Sequence, residues 1–196
     1  MKFVIATGNP KKLAEIKRIL EPLGIEAVSQ KEAGVCLDPE ETGTTFEENA
    51  LIKAKTVAEA TSLPAIADDS GLCVTALDGR PGLYSARYAG EGASDAQKVA
   101  KILAEMENKT DRSAKFVSVI CCYFSADDYF FVRGECHGEI TVMPSGNGGF
   151  GYDPVFFVPT LQKTFADLSG EEKDTVSHRG HSLRALREAL EKRFNA

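Results

Sequence analysis

A chain of 196 residues, 43% hydrophobic and 27% charged, is long enough for one well-buried core and predicts a single domain over residues 1–196, since no low-complexity linker divides it. Its net charge of −6 excludes the basic stripe that a nucleic-acid backbone demands, and no apolar run is long enough to span a bilayer, so nucleic acid and membrane are not expected partners. The opening MKFVIATGNP breaks too soon at Gly-Asn-Pro for a signal peptide, and Cys36, Cys73, Cys121, Cys122 and Cys136 lack a CxxC spacing, which predicts reduced thiols and a cytoplasmic location.

The segment KFVIAT reads as a strand. A helix is expected from Pro10 to about Leu20, with Asn9 as its cap, Pro10 at the favoured first position, and Leu13, Ile16, Leu20 and Leu23 at helical spacing. A short strand near Ile25 to Val28 and an acidic loop follow, then a helix beginning near Phe46. Thr45 with Glu48, and Ser94 with Gln97, are capping-box signatures for the second and third helices. Between them PAIADDSGLCV reads as two buried strands around an Asp-Ser-Gly turn. After Ala114 the pattern turns to strands: FVSVICCYF and YFFVRGEC as a hairpin, then EITVM and PVFFVP. The chain closes with a short helix begun by Ser169 and an amphipathic helix carrying Leu183, Leu186, Leu190 and Phe194. Alternating strands and helices with a late hairpin predict an α/β fold on a mixed sheet.

Four clusters could carry chemistry. In TGNPKK the strand-to-helix turn aims backbone N–H groups and a positive helix end outward beside Thr7, Asn9 and Lys12, which suits an anion; an ordinary capped helix with solvated lysines suits the sequence too. In DDSG, Asp68 and Asp69 repel each other and resist desolvation, so they demand a cation, a basic side chain or water beside them. If Glu40 converges with Asp69, the pair offers hard oxygen ligands for Mg²⁺ carried in with phosphates. Asn49 and Lys53 lie one helical turn apart beyond that acidic loop. In SGNGGFGYDP the glycines let backbone approach a ligand while Phe150 and Tyr152 supply flat apolar faces on which a base could stack, or which return to the core. Finally, EEKDTVSHRGHS gathers Lys173, His178 and Arg179, all hydrogen-bond donors, at a helix junction.

Taken in order, TGNPKK, EETGTTFEENALIKAK, PAIADDSGL, PGLYSARYAG, GGFGYDPVFF and SHRG resemble the inosine/xanthosine triphosphate pyrophosphatase family across nearly the whole chain. The resemblance implies an elongated mixed sheet flanked by helices in two lobes with a cleft between them, and a homodimer. It implies Mg²⁺-dependent cleavage of ITP, dITP or XTP to the monophosphate and pyrophosphate. By position it implies triphosphate contacts at Thr7, Gly8, Asn9, Pro10, Lys11, Lys12 and Lys53, and a substrate contact at Ser70. It implies Glu40 and Asp69 as metal ligands, with Glu41 as the alternative to Glu40, and Asp69 as the base that activates water. The base pocket would comprise Phe150, Gly151, Tyr152, Asp153, Lys173, His178 and Arg179. A pyrophosphatase of this architecture for another modified nucleotide, and a non-catalytic nucleotide sensor, are the rival readings.

Overall fold

Lys2–Ile5 (β1) is buried at Phe3, Val4 and Ile5 in succession, as a strand covered on both faces must be. This computed structural model describes residues 2–194, apart from the side chains of Ile19 and Leu23. Helix α1, Pro10–Leu20, follows. Asn9 caps it, accepting from the backbone N–H of Lys11 at 2.9 Å and Lys12 at 3.3 Å, with Pro10 in the first turn. Lys17 and Arg18 in its last turn complement the negative helix end, and Gly24 at φ +71° turns the chain into β2, Glu26–Ser29.

Helix α2, Phe46–Thr61, starts at the Thr45 cap and buries Ala50, Ala54, Val57 and Ala58, a mostly small-residue stripe that permits close approach to its neighbours. Strand β3, Ala65–Val74, runs unbroken through Asp68 and Asp69, so the expected Asp-Ser-Gly turn is absent. Both carboxylates instead sit inside a buried strand, because each finds basic partners on its own face. The segment Gly82–Arg87, within PGLYSARYAG, is a 3-10 turn whose Gly82 carbonyl presses on Gly71. A Cβ at Gly71 would lie 2.2 Å from that oxygen and 2.8 Å from Ser85 Oγ.

Helix α3, Asp95–Glu105, carries the expected Ser94/Gln97 capping box and buries Val99 and Ile102. Strands β4, Ser113–Ser125, and β5, Asp128–Ile140, are joined by a tight turn at Ala126 and Asp127. EITVM is no separate strand, since β5 already ends at Ile140. Short strands β6, Phe156–Val158, and β7, Lys163–Thr164, precede α4, Gly170–Val176, and α5, His178–Phe194. The sheet is mixed, in the order β2-β1-β3-β4-β5-β6-β7. β1 pairs parallel with β2 and β3, whereas β6 pairs antiparallel with β5 and β7. No helix among the described residues is long and apolar enough to cross a membrane.

The chain forms two compact units. The first comprises Met1–Asp69, Ser118–Gly134 and Arg179–Ala196, and the second Ser70–Val117 and Glu135–His178. In the first, Ile16 and Leu20 of α1 and Leu183, Leu186 and Leu190 of α5 pack with Phe3, Ile5, Ile66, Ile120 and Cys122 of the sheet. Each such buried side chain contributes roughly 1.5–3 kcal/mol relative to exposure. In the second, Leu72, Val74, Phe116, Ile140, Val155, Phe156 and Phe165 form the core with Val99, Ile102 and Met106. Phe116, Phe156 and Phe165 make mutual ring contacts at 4.7 to 5.7 Å.

Candidate active site

Alternation along β3 separates the two aspartates of the first unit. Asp68 shares its face with Ile66 and meets α1 and α5. Its Oδ2 accepts from Lys12 Nζ at 3.2 Å and from Arg179 Nε and Nη2 at 3.2 and 3.1 Å, while Arg179 Nη1 also bonds Glu15. Asp68 is fully buried at its side chain, and its Oδ1 has no hydrogen-bond partner among the described residues. Burial would raise its pKa, but Lys12, Arg179 and Lys53 outweigh burial and hold the carboxyl far below the usual carboxylate range. Burial pulls the Lys12 ammonium below its ordinary value despite Asp68.

Asp69 meets α2 on the other face. Lys53 Nζ lies 2.8 Å from Asp69 Oδ1 and 2.8 Å from Glu41 Oε1, bridging the two carboxylates. Asn49 Nδ2 donates to Asp69 Oδ2 at 3.4 Å. Burial raises the Asp69 pKa, Lys53 opposes it, and the net direction is upward. Burial also works against the Lys53 ammonium, yet Asp69, Asp68 and Glu41 together raise its pKa. A carboxylate with a raised pKa is the better proton acceptor, and one beside a cation still ionises.

The acidic residue brought to Lys53 and Asp69 is Glu41, whereas Glu40 is exposed and outside these contacts. No group of three or more His, Cys, Asp or Glu among the described residues is placed to hold a metal. Two hard carboxylates converging on one cation do fit Mg²⁺, which binds through one or two carboxylates plus substrate phosphates rather than in an all-protein cage.

At the start of α1, Thr7 Oγ1 accepts from Asn9 N at 3.1 Å, while Gly8, Pro10 and Lys11 are exposed. Asn9 already takes up the amides of Lys11 and Lys12, so the anion-binding capacity there rests on Lys12 more than on free helix-end amides.

The second unit holds a separate group centred on Asp153. Its Oδ2 accepts from Lys173 Nζ at 2.7 Å and from the Phe150 amide at 2.8 Å. Lys173 Nζ stands 4.7 Å from the Phe150 ring centroid and 5.5 Å from that of Phe165. His178 stacks on Phe116 at 4.6 Å. The loop can fold this way because Gly149 has φ +71° and a Cβ there would lie 2.1 Å from Asp153 Oδ2. Gly151 donates its amide to Asp95 Oδ2 at 2.7 Å. Tyr152 is buried with its hydroxyl on the Ser85 carbonyl at 2.9 Å, so it anchors the loop instead of offering a face. Ser70 lies half-buried on β3, immediately after Asp69.

Lys173, Asp153, Phe150 and His178 thus belong to one unit. Arg179 donates to Asp68 and Glu15 in the other. Phe165 and Phe116 had no local sequence signal beyond being aromatic. Asn49 had one, since it sits a turn before Lys53 on the same helix face.

A model of the Ham1 family matches residues 3–189. The dITP/XTP pyrophosphatase of Pectobacterium atrosepticum is 51% identical over 193 residues, which cover 96% of this chain and 98% of that protein. That of Treponema denticola is 46% identical over 186 residues, covering 93% and 95%. Among solved structures, a HAM1 protein from Coxiella burnetii superposes with a TM-score of 0.91 at 44% identity, covering 98% of this chain and 99% of that one. The Staphylococcus aureus Ham1 protein gives 0.89 at 44% identity, covering 98% and 100%.

Proposed function

The chain belongs to the Ham1 family, and we propose from that membership that it hydrolyses non-canonical purine nucleoside triphosphates, ITP, dITP and XTP, to the monophosphate and pyrophosphate. The observation that carries this reading is the Lys53 bridge between Asp69 and Glu41, a cation of α2 between a carboxylate of β3 and one of the loop before α2. Removing such nucleotides keeps them from entering DNA and RNA. We further infer Mg²⁺ as cofactor, a homodimer as the working assembly, and a cytoplasmic location.

In this reading Lys12 and Lys53 meet the triphosphate, with Thr7 and Asn9 shaping the turn beneath it and Ser70 as a further contact. Asp69 takes a proton from water as the water oxygen bonds to the α-phosphorus. The bond from that phosphorus to the bridging oxygen breaks, and pyrophosphate leaves with the electron pair. Asp69 and Glu41 would hold Mg²⁺, which supplies charge neutralisation and a lowered water pKa when bound. Phe150 offers a flat face to the base. Lys173 donates to an oxo group at purine C6, where an amino group would leave a buried donor unpaired.

The experiment is direct: pyrophosphate and orthophosphate released from ITP, XTP, GTP and ATP, compared side by side. Pyrophosphate from ITP and XTP well ahead of the other two is expected. Orthophosphate as the product, or no preference among bases, overturns the reading.

A further inference from the structure

Asn49 is buried to 1% exposure among alanines of α2, a costly place for an amide unless both of its ends are occupied. They are. Oδ1 accepts from the Gly43 backbone N–H at 2.8 Å, and Nδ2 donates to Asp69 Oδ2 at 3.4 Å. The orientation follows from chemistry, because a backbone N–H can only donate, which leaves the NH₂ for the carboxylate. Gly43 closes onto the amide so tightly that a Cβ there would lie 2.6 Å from Asn49 Oδ1. The same acidic loop carries Glu41, which bonds Lys53, which in turn bonds the other oxygen of Asp69. One turn of α2 therefore grips both oxygens of Asp69 and both the backbone and a side chain of the loop.

We propose that Asn49 is a positioning residue for the hydrolysis: it fixes the rotation of the Asp69 carboxylate and ties it to the loop that bears Glu41. Lys53 alone would leave Asp69 free to swing about Cβ–Cγ, whereas two donors on two oxygens define a plane. The inference rests on the hydrolytic reading above.

Two variants separate the two ends of the amide. In Asn49→Asp one oxygen still accepts the Gly43 N–H, while the other replaces a donor by an acceptor facing Asp69. Asn49→Ala removes both bonds. With ITP as substrate, kcat should fall about tenfold or more in both variants while KM moves by less than about threefold, since misplacing a reacting group costs rate before binding. Hydrogen exchange at the Gly43 amide, read without metal or nucleotide, should keep the parent rate in Asn49→Asp and accelerate in Asn49→Ala. A kcat within about twofold of the parent in Asn49→Asp, or equal loss of Gly43 protection in both variants, overturns the proposal. If Asn49→Ala does not fold, Asn49→Asp alone decides by the same kcat criterion. A parent that releases no pyrophosphate from any base would instead remove the functional reading, and this inference with it.

Discussion

Asp68 and Asp69 are neighbours in the chain yet face opposite sides of β3, one held by Lys12 and Arg179, the other by Lys53 and Asn49. Separation by the pleat lets both stay inside a buried strand, since each repels the other less than its own cations attract it. Different expectations follow for each.

Asp69→Asn should lower turnover of ITP by at least about 10²-fold, the usual contribution of a positioned base, with nucleotide binding changed little. Calorimetric binding of ITP beside measured pyrophosphate release checks this. Near-parental turnover would remove Asp69 from the chemistry.

Glu41→Gln should raise the Mg²⁺ concentration needed for half-maximal activity by about tenfold or more, as loss of a metal-holding carboxylate does. Glu40→Gln should leave it close to the parent value, because Glu40 is exposed and apart from Lys53. A metal titration of both variants distinguishes the two glutamates, and the reverse outcome would restore Glu40.

Asp68→Asn removes the charge partner of the buried Arg179 and the half-buried Lys12 and should destabilise the fold by about 3 kcal/mol. The sign with pH is set by a depressed folded pKa: the Asp68 contribution is complete above its unfolded value of about 3.9 and is lost as pH falls through the folded value. Urea unfolding should therefore show parent stability dropping more steeply than that of Asp68→Asn between about pH 4 and pH 2, so the gap narrows in acid. A constant gap would mean that the charge of Asp68 contributes nothing.

Lys173→Ala should reduce the ratio of kcat/KM for ITP over ATP by roughly 5- to 150-fold, corresponding to one lost donor at about 1–3 kcal/mol. Lys12→Ala should weaken both substrates alike, since phosphate carries no base information. Parallel kinetics with the two nucleotides test both, and equal losses in Lys173→Ala would shift base reading to the backbone of the Gly149–Asp153 loop.

Much of the fold was readable because its signals are local. The caps at Asn9, Thr45, Ser94 and Ser169 each mark a helix start that the structure contains. The mixed sheet followed from alternation early in the chain and a hairpin late. The β3 error had a physical origin: Asp-Ser-Gly carries turn chemistry, and only residues distant in sequence, Lys12 and Arg179 above all, make a straight buried strand tolerable there. Which of Glu40 and Glu41 reaches Lys53 was likewise not legible locally, because the loop that carries them is fixed by the Gly43 amide on Asn49. The ion pairs that Arg179 makes with Asp68 on β3 and Glu15 on α1 are of the same long-range kind, with no signal in the SHRG segment itself.

Gly71 follows Asp69 by two positions and has no side chain to offer a substrate, yet a methyl group there would drive into the Gly82 carbonyl oxygen. A library of variants assayed for pyrophosphate release from ITP would therefore reject Gly71→Ala as firmly as it rejects Asp69→Asn. The two rejections would look alike and mean different things, one reporting a lost reaction and the other two stretches of chain that can no longer lie against each other. Purified soluble yield, measured beside that activity, is the quantity that tells them apart.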